Sequence, residues 1–226
     1  MTIMRPLSDP LGAAAVVWDY DGTLVDTRGA DEAAVALLLE ADPGAATGTE
    51  IFWALEGRPI IERIDLAWPG RADELLPLFD RPIPPRIFPG IVAAIDELRR
   101  RRMPMAVVSS RRVEALAWGL RACRLRSAFT AVVGLEDVVA PKPDPEGLLL
   151  ACDELGVSPK RAVYIGDSQV DVEAGHRAAM AAWRATWAHR GPAARSPVEL
   201  CRPEDVLARL RAHARGEEAP PLAAAG

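Results

Sequence analysis

Short apolar runs alternate along the chain with segments in which apolar residues recur every three or four positions. The runs are typical of strands buried on both faces of a sheet, and the periodic segments are typical of amphipathic helices. The pattern predicts strands at 14–18, 105–109, 131–133 and 162–165, with a weaker one at 182–185. It predicts helices at 91–102, 112–121, 144–155 and 170–180. Strands and helices that alternate in this way indicate an α/β fold with a mostly parallel sheet.

Residues 27–86 break this alternation. They predict helices at 31–40, 49–67 and 71–79 with no strand between them, followed by a stiff, proline-rich connector at 81–86. We therefore expect an α/β core formed by residues 1–26 and 87–215 and a helical insertion at 27–86. Residues 216–226 are rich in Ala, Pro and Glu, and we expect a disordered tail there.

Composition narrows the class of protein. Of 226 residues, 50% are hydrophobic and 26% are charged, which is typical of a globular protein with a substantial core. The net charge of -5 argues against a nucleic-acid partner. The three cysteines are far apart and indicate neither a disulfide framework nor a metal site. The apolar stretch 13–18 is too short for a signal peptide or a membrane span, so we expect a cytoplasmic protein with no membrane partner.

Polar side chains follow four of the predicted strands, where ligands bind in parallel α/β sheets. In chain order they are Asp19 and Asp21, then Ser109 and Ser110, then Lys142, then Asp167 and Asp171. Two carboxylates at the end of a buried strand are costly unless something positive lies between them. Several carboxylates suit a hard divalent cation such as Mg²⁺, whereas a lysine and a hydroxyl suit a phosphoryl group. This set predicts phosphoryl transfer with a carboxylate nucleophile.

Each of these residues has a structural alternative when taken alone. The Asp-x-Asp-Gly segment at Asp19 is typical of a turn, Ser109 could cap the next helix, and Lys142 could be a solvated loop charge. Their succession at consecutive strand ends favours the functional interpretation. Lys142 adds weight because only it and Lys160 are lysines among 27 basic residues. An ammonium group is not interchangeable with a planar guanidinium.

These residues resemble the four motifs of the haloacid dehalogenase-like hydrolase superfamily, over residues 14 to about 210. The motifs are the segment from Asp19 to Leu24, then Ser109, Lys142, and the segment from Gly166 to Asp171. The sequences Phe-Pro-Gly at 88–90, Lys-Pro-Asp-Pro at 142–145 and Tyr-Ile-Gly-Asp-Ser at 164–168 look like the phosphoglycolate phosphatase-like branch. The resemblance implies a Rossmann-like core whose insertion is a C1-type helical cap.

The resemblance also implies roles for the site residues. Asp19 would be the nucleophile, and Asp21 the general acid and then the base. Ser109 would bind phosphoryl oxygens, and Lys142 would neutralise charge on Asp19 and the phosphoryl group. Asp19, Asp167 and the backbone carbonyl of Asp21 would hold Mg²⁺, with Asp171 behind them or acting through water.

Three further residues are candidates for binding the substrate. Ser110 would contribute its backbone N–H to the phosphate site, and Arg111 follows it in sequence. Arg58, in the part of the insertion that resembles a specificity loop, would meet a substrate carboxylate or second phosphate. For Arg58 the alternative is an ion pair with Glu62, four residues on in a predicted helix.

Differences among the enzymes of the superfamily that this sequence resembles limit the reactions it could catalyse. Its dehalogenases lack an acid at the position of Asp21, and its phosphonatases use a cap lysine, whereas residues 22–90 contain no lysine. They contain no histidine either, which argues against a β-phosphoglucomutase-like enzyme. We therefore predict a Mg²⁺-dependent phosphatase that hydrolyses a small phosphorylated metabolite through an aspartyl-phosphate. A phosphosugar mutase, a pyrophosphatase and a non-catalytic phospholigand-binding protein are the alternatives, and the substrate and oligomeric state are left open.

Overall fold

The computed structural model describes residues 11–79, 86–188 and 198–217. Its strands are β1 Ala15–Trp18, β2 Val25–Asp26, β3 Arg86–Ile87, β4 Met105–Val108, β5 Ala131–Val133, β6 Ala162–Gly166, β7 Ala181–Ala185 and β8 Glu199–Leu200. Its α-helices are α1 Arg28–Ala41, α2 Thr49–Ala54, α3 Ile60–Ala67, α4 Ala72–Phe79, α5 Ile91–Arg100, α6 Val113–Ala122, α7 Glu146–Leu155, α8 Gln169–Arg177 and α9 Asp205–Ala214.

Six strands form a parallel sheet in the order β5-β4-β1-β6-β7-β8. The first strand lies near the centre, where Val17 pairs with Ala106 of β4 on one side and Tyr164 of β6 on the other. Successive side chains of β1 face opposite sides of the sheet. Val16 and Trp18 belong to one apolar cluster, and Ala15 and Val17 to a second. Both faces are therefore covered, which confirms the predicted Rossmann-like α/β fold and explains the continuous apolar runs.

The helical insertion has an apolar cluster of its own. Helices α1 to α4 contribute buried residues that include Leu38, Phe52, Ile64 and Leu75. The chain leaves the main sheet through β2 and returns through β3, which pair antiparallel as a two-stranded ribbon. The insertion thus packs internally and is joined to the core by two neighbouring strands. The domain boundaries at residues 26 and 87 stay predictions.

The observed elements correct the sequence-based pattern in three places. The single helix predicted at 49–67 is two helices, because the left-handed Gly57 (φ 87°) and Pro59 separate α2 from α3. The two-residue strands β2, β3 and β8 were not predicted, since they are too short to carry a periodic pattern. Helix α9 was also missed. The connector at 81–85 and residues 218–226 of the predicted tail lie outside the described residues.

Candidate active site

A cavity of about 270 Å³ lies between the carboxyl ends of the sheet and the helical insertion. From the core, Asp19, Asp21, Lys142 and Asp167 line it. From the insertion, the turn at 56–58 and residues of α1 and α3 line it. Asp19 and Asp171 are 152 positions apart in sequence. They nevertheless lie close together, because they follow β1 and β6, which are neighbours in the sheet. Residues predicted from separate motifs therefore share one site.

Lys142 lies at the centre of the buried polar groups. Its ammonium group donates to Asp19 Oδ1 and to Asp171 Oδ1, both at 2.7 Å, and to the Tyr164 hydroxyl at 3.1 Å. The side chains of Lys142, Asp19 and Asp171 are at most 5% exposed. Burial alone lowers the pKa of Lys142, but the Asp171 and Asp19 carboxylates outweigh it and raise that pKa well above its usual value. The two carboxylates therefore favour the charged form of Lys142.

Asp171 is fixed by the first turn of α8. Ser168 is the N-cap of this helix, and its backbone N–H donates to Asp171 Oδ2 at 3.0 Å while the Asp171 N–H donates back to the Ser168 hydroxyl at 3.2 Å. This capping box satisfies free backbone groups at the helix start. The Tyr164 hydroxyl donates to Asp171 Oδ1 at 2.8 Å. Burial raises the pKa of Asp171, but Lys142 and these hydrogen bonds hold it below its usual value.

Asp167 differs from its neighbours because its carboxylate has no hydrogen-bond or ion-pair partner among the residues described. It packs against Gly22, where a Cβ would lie 2.1 Å from Asp167 Oδ2, so that position requires glycine. Burial, followed by the charges of Asp171 and Asp19, raises the pKa of Asp167 well above its usual value. The nearby Lys142 lowers this pKa only in part, because its ammonium group is already bound to Asp19 and Asp171.

Asp21 is paired with Arg111 at the mouth of the site. The Arg111 Nη2 donates to Asp21 Oδ1 at 2.5 Å, and its Nε lies 3.2 Å from both carboxylate oxygens. The Ser109 hydroxyl is 3.4 Å from Asp21 Oδ2 and accepts the backbone N–H of Arg111. Burial raises the pKa of Asp21, but Arg111 outweighs it and lowers that pKa. Asp21 is about a third exposed, at 34%, and so faces the cavity.

The acidic groups fit a divalent cation. Asp19, Asp167 and Asp171 each present one oxygen atom, and these atoms lie within 4.8 Å of one another. Burial, with the neighbouring Asp171 and Asp21, raises the pKa of Asp19 to about 7 despite Lys142. Within the described ranges, one lysine thus faces three carboxylates, and that of Asp167 has no hydrogen-bond or ion-pair partner there. Clustered oxygen donors with excess negative charge suit a hard cation, so these three carboxylates could hold one, and the metal site with Asp21 as a further member stays a prediction.

The three predicted substrate-binding residues all line the cavity and also contact protein groups. The Ser110 hydroxyl donates to the backbone carbonyl of Gly57 at 2.9 Å, which joins the core to the insertion. Arg58 pairs with Glu62 at 2.5 Å, the alternative that its spacing indicated. Arg111 holds Asp21, as described above. Of the three, Arg111 is the one whose side chain bonds to a predicted catalytic residue in the structure.

Two residues near the site were missed in the sequence. Arg63 lines the cavity, lies 3.9 Å above the Phe52 ring and pairs with Asp31 at 2.9 Å. The one indication was an arginine on the apolar face of a predicted helix. Tyr164 was part of a motif but was given no role, because alternation along a strand does not show that a hydroxyl reaches a lysine 22 residues away.

Comparison with known proteins agrees with this geometry. The family model described as haloacid dehalogenase-like hydrolase matches residues 13–179, which contain every predicted catalytic and metal-binding residue. The chain belongs to the haloacid dehalogenase-like hydrolase family. This assignment confirms the predicted family and the prediction of a hydrolase enzyme.

Curated relatives of this hydrolase include two kinds of phosphatase. "Pyrophosphatase PpaX" of Bacillus velezensis is 27% identical over 197 residues, which are 82% of this chain and 88% of the relative. "Phosphoglycolate phosphatase" of Photorhabdus laumondii is 28% identical over 181 residues, which are 74% of this chain and 77% of the relative.

Solved structures share the fold of this hydrolase. The crystal structure of a predicted phosphoglycolate phosphatase from Haemophilus somnus has a TM-score of 0.72 at 19% identity and covers 90% of this chain and 99% of its own. CbbY from Rhodobacter sphaeroides in complex with phosphate has a TM-score of 0.71 at 22% identity and covers 86% of this chain and 96% of its own.

Among the described helices, none is long and apolar enough to span a membrane.

Proposed function

We propose that this hydrolase is a Mg²⁺-dependent phosphatase that removes the phosphoryl group of a small phosphomonoester through an aspartyl-phosphate on Asp19. One observation carries the proposal. The buried Asp19 carboxylate is held 2.7 Å from Lys142 beside the carboxylate of Asp167, which no described residue pairs with, at the floor of a cavity of about 270 Å³. A carboxylate in contact with a fixed positive charge and a cation site is equipped to receive an anionic phosphoryl group.

Asp19, Asp167 and the backbone carbonyl of Asp21 would hold the Mg²⁺ ion, and Asp171 would act from behind. Both carboxylate oxygens of Asp171 already accept hydrogen bonds, from Lys142, Tyr164 and Ser168. This supports a role for Asp171 behind the metal ligands. When bound, the ion would neutralise charge on the carboxylates and on the phosphoryl oxygens.

In the first half-reaction, a carboxylate oxygen of Asp19 attacks phosphorus. A new P–O bond to Asp19 forms while the bond from phosphorus to the substrate oxygen breaks. Lys142 stabilises the charge on the transferred group, and Ser109 donates to one of its oxygens. Once Arg111 has turned from Asp21 to the substrate, Asp21 can take up a proton from solvent, and it supplies this proton to the leaving alkoxide, a contribution of about 10²–10⁴-fold for a placed general acid.

In the second half-reaction, water attacks phosphorus of the aspartyl-phosphate. Asp21, now ionised, takes a proton from the water as its oxygen bonds to phosphorus. The bond between phosphorus and Asp19 breaks, inorganic phosphate leaves, and the carboxylate of Asp19 is restored. The same residue thus serves as acid and base, which returns the site to its starting protonation state.

The helical insertion would act as a cap that excludes water and contacts the leaving group. Arg111 would bind an anionic group of the substrate and in doing so release Asp21. Arg58 would bind a second such group in competition with Glu62, and the backbone of Ser110 would contribute to the phosphate site. The size of the cavity supports a small metabolite rather than a macromolecule. The cytoplasmic location stays a prediction.

The named relatives support the phosphatase class and leave one specific competitor. Pyrophosphatase PpaX, which aligns with 82% of this chain, favours pyrophosphate as a second candidate substrate. A mutase remains the alternative enzyme, although residues 22–90 have no histidine. A phospholigand-binding protein without turnover is the non-enzymatic alternative.

Phosphate release from a panel of substrates tests the proposal. The panel contains phosphoglycolate, several sugar phosphates, an aryl phosphate and pyrophosphate, each with and without Mg²⁺. We expect turnover that needs Mg²⁺ and that falls at least about 1,000-fold in Asp19→Asn, because the amide is not a nucleophile. Asp96→Asn is the matched control, since Asp96 is 55% exposed on α5.

Each alternative has its own result in the same panel. Preferential turnover of pyrophosphate would favour the second candidate, and isomerised sugar phosphate without phosphate release would favour the mutase. Tight binding of a metabolite with equal, negligible turnover in wild type and Asp19→Asn would overturn the enzymatic proposal.

A further inference from the structure

Arg184 is a buried charge that no part of the proposed reaction uses. It lies in β7 between Trp183 and Ala185, and only 1% of its surface is exposed. Placing a guanidinium group in a sheet covered on both faces is costly unless specific partners compensate for the lost hydration. The partners of this arginine therefore indicate what the charge contributes.

One of these partners belongs to the candidate active site. The Arg184 Nε donates to the backbone carbonyl of Asp167 at 3.0 Å. The sheet register brings them together, because Arg184 pairs with Gly166, the last residue of β6, and Asp167 follows directly. On its other side, Arg184 Nη1 lies 3.9 Å from Glu199 Oε1 in the edge strand β8.

The contact is important because of how Asp167 is held. Lys142 fixes Asp19, Arg111 fixes Asp21, and the capping box of α8 fixes Asp171. In the described part of the chain, the carboxylate of Asp167 has no such bond. Its direction is set by its backbone and by the closely packed Gly22. A bond to the Asp167 carbonyl fixes the peptide plane from which this carboxylate projects.

We propose that Arg184 is a positioning residue, which holds the Asp167 peptide so that its carboxylate stays in the geometry of the divalent-cation site. The inference rests on the proposed role of Asp167 as a Mg²⁺ ligand. It assigns Arg184 no contact with substrate or metal. Residues that orient a ligand from behind typically change metal affinity by about 10–100-fold when replaced.

Calorimetric titration of the metal-free, full-length protein with MgCl₂, without substrate, tests the proposal. For Arg184→Gln we expect the Kd for Mg²⁺ to rise about tenfold, and Arg184→Lys should recover part of the affinity. Glu199→Gln is the matched control, because it removes the carboxylate near Arg184 but keeps the bond to Asp167. Its Kd should equal that of the wild type. Circular dichroism and thermal unfolding of each variant report on the fold.

A second readout separates positioning from general damage. The Mg²⁺ concentration for half-maximal phosphate release should rise in Arg184→Gln by the same factor as the Kd, while kcat at saturating Mg²⁺ stays within about threefold of wild type. A folded Arg184→Gln that binds Mg²⁺ like the wild type would overturn this inference alone. An equal loss of Mg²⁺ affinity in Glu199→Gln would also overturn it. Loss of cooperative folding in both Arg184 variants would do the same, because it would show that Arg184 is needed for the fold itself. A wild type that does not bind Mg²⁺ would overturn the proposed metal site itself.

Discussion

Two ion pairs that line the cavity, one at the sheet edge and one in the helical insertion, are organised in different ways. At the edge, Lys142 and Asp19 are 123 positions apart and both side chains are 5% exposed. In the insertion, Arg58 lies in the turn before α3 and Glu62 in its first turn, and their side chains are 38% and 33% exposed. The first pair exists only because the sheet is assembled, whereas the second joins residues four positions apart in sequence.

This contrast suggests a division of labour across the cavity. Groups fixed by the folded core are preorganised, which is what stabilisation of a transition state requires. Half-exposed ion pairs between residues close in sequence contribute little to stability and can exchange partners at small cost. We therefore expect substitutions in the Lys142–Asp19 pair to affect stability and turnover, and substitutions in the Arg58–Glu62 pair to affect mainly the affinity for substrate.

Replacing Lys142 should give the largest combined effect. Lys142→Met leaves Asp19 and Asp171 buried without their counter-charge, so we expect the free energy of unfolding to fall by about 3–5 kcal/mol. Turnover should be lost with it. Urea unfolding measures the stability, and Lys160→Met is the control because Lys160, the other lysine, is exposed. Equal stability of the two variants would contradict a preorganised edge.

Gly57 tests how the two regions approach one another. A Cβ at this left-handed residue would lie 2.5 Å from the Ser168 hydroxyl, at the start of α8. We expect Gly57→Ala to lower kcat/KM about tenfold, since displacement of the insertion misplaces its contacts to substrate. Gly70 is also left-handed but has no atom within 4 Å of its missing Cβ. Gly70→Ala should therefore share a stability loss of about 1 kcal/mol and keep normal kcat/KM.

If both glycine variants lose activity equally, backbone strain explains the effect and the contact with Ser168 does not. Thermal unfolding of the two variants measures the strain itself, which should be similar because the φ angles, 87° and 77°, are similar.

The smallest effect is expected at Arg58. Arg58→Met should change the free energy of unfolding by less than about 0.5 kcal/mol, because its pair with Glu62 is half-exposed. If the guanidinium exchanges Glu62 for an anionic group of the substrate, KM should rise about threefold to tenfold with kcat unchanged. Glu62→Gln frees Arg58 without removing it and should leave KM unchanged or lower. Identical KM values in both variants and wild type would assign Arg58 to the ion pair alone.

The sequence was a good guide to the main sheet. All five predicted strands are present within about a residue at each end. Four of them are continuous apolar runs, as is typical of strands buried on both faces, whereas β7, the weaker prediction, contains Arg184. It was a poorer guide to the insertion, where Gly57 and Pro59 divide the single helix predicted at 49–67 into α2 and α3. Short edge elements such as β8 owe their pairing to neighbouring strands and leave no pattern in the sequence.

The candidate site shows the same limit in its chemistry. Strand-end positions were sufficient to select Asp19, Asp21, Lys142 and Asp167 as a group. They could not show that Arg111 binds Asp21 at 2.5 Å or that Asp167 has no side-chain partner within the described residues. Both facts depend on side-chain directions, which packing decides after the backbone is fixed.

The sequence by itself determined the fold class, the family resemblance and the identity of the residues at the strand ends. It could do so because periodicity and residue type are local properties of a chain. Only the tertiary structure decided which charges neutralise one another, which carboxylate is left for a cation, and that a buried arginine in β7 reaches the carbonyl of Asp167. Those outcomes follow from the parallel sheet, because it brings distant positions within hydrogen-bond distance and removes the water that would otherwise screen them.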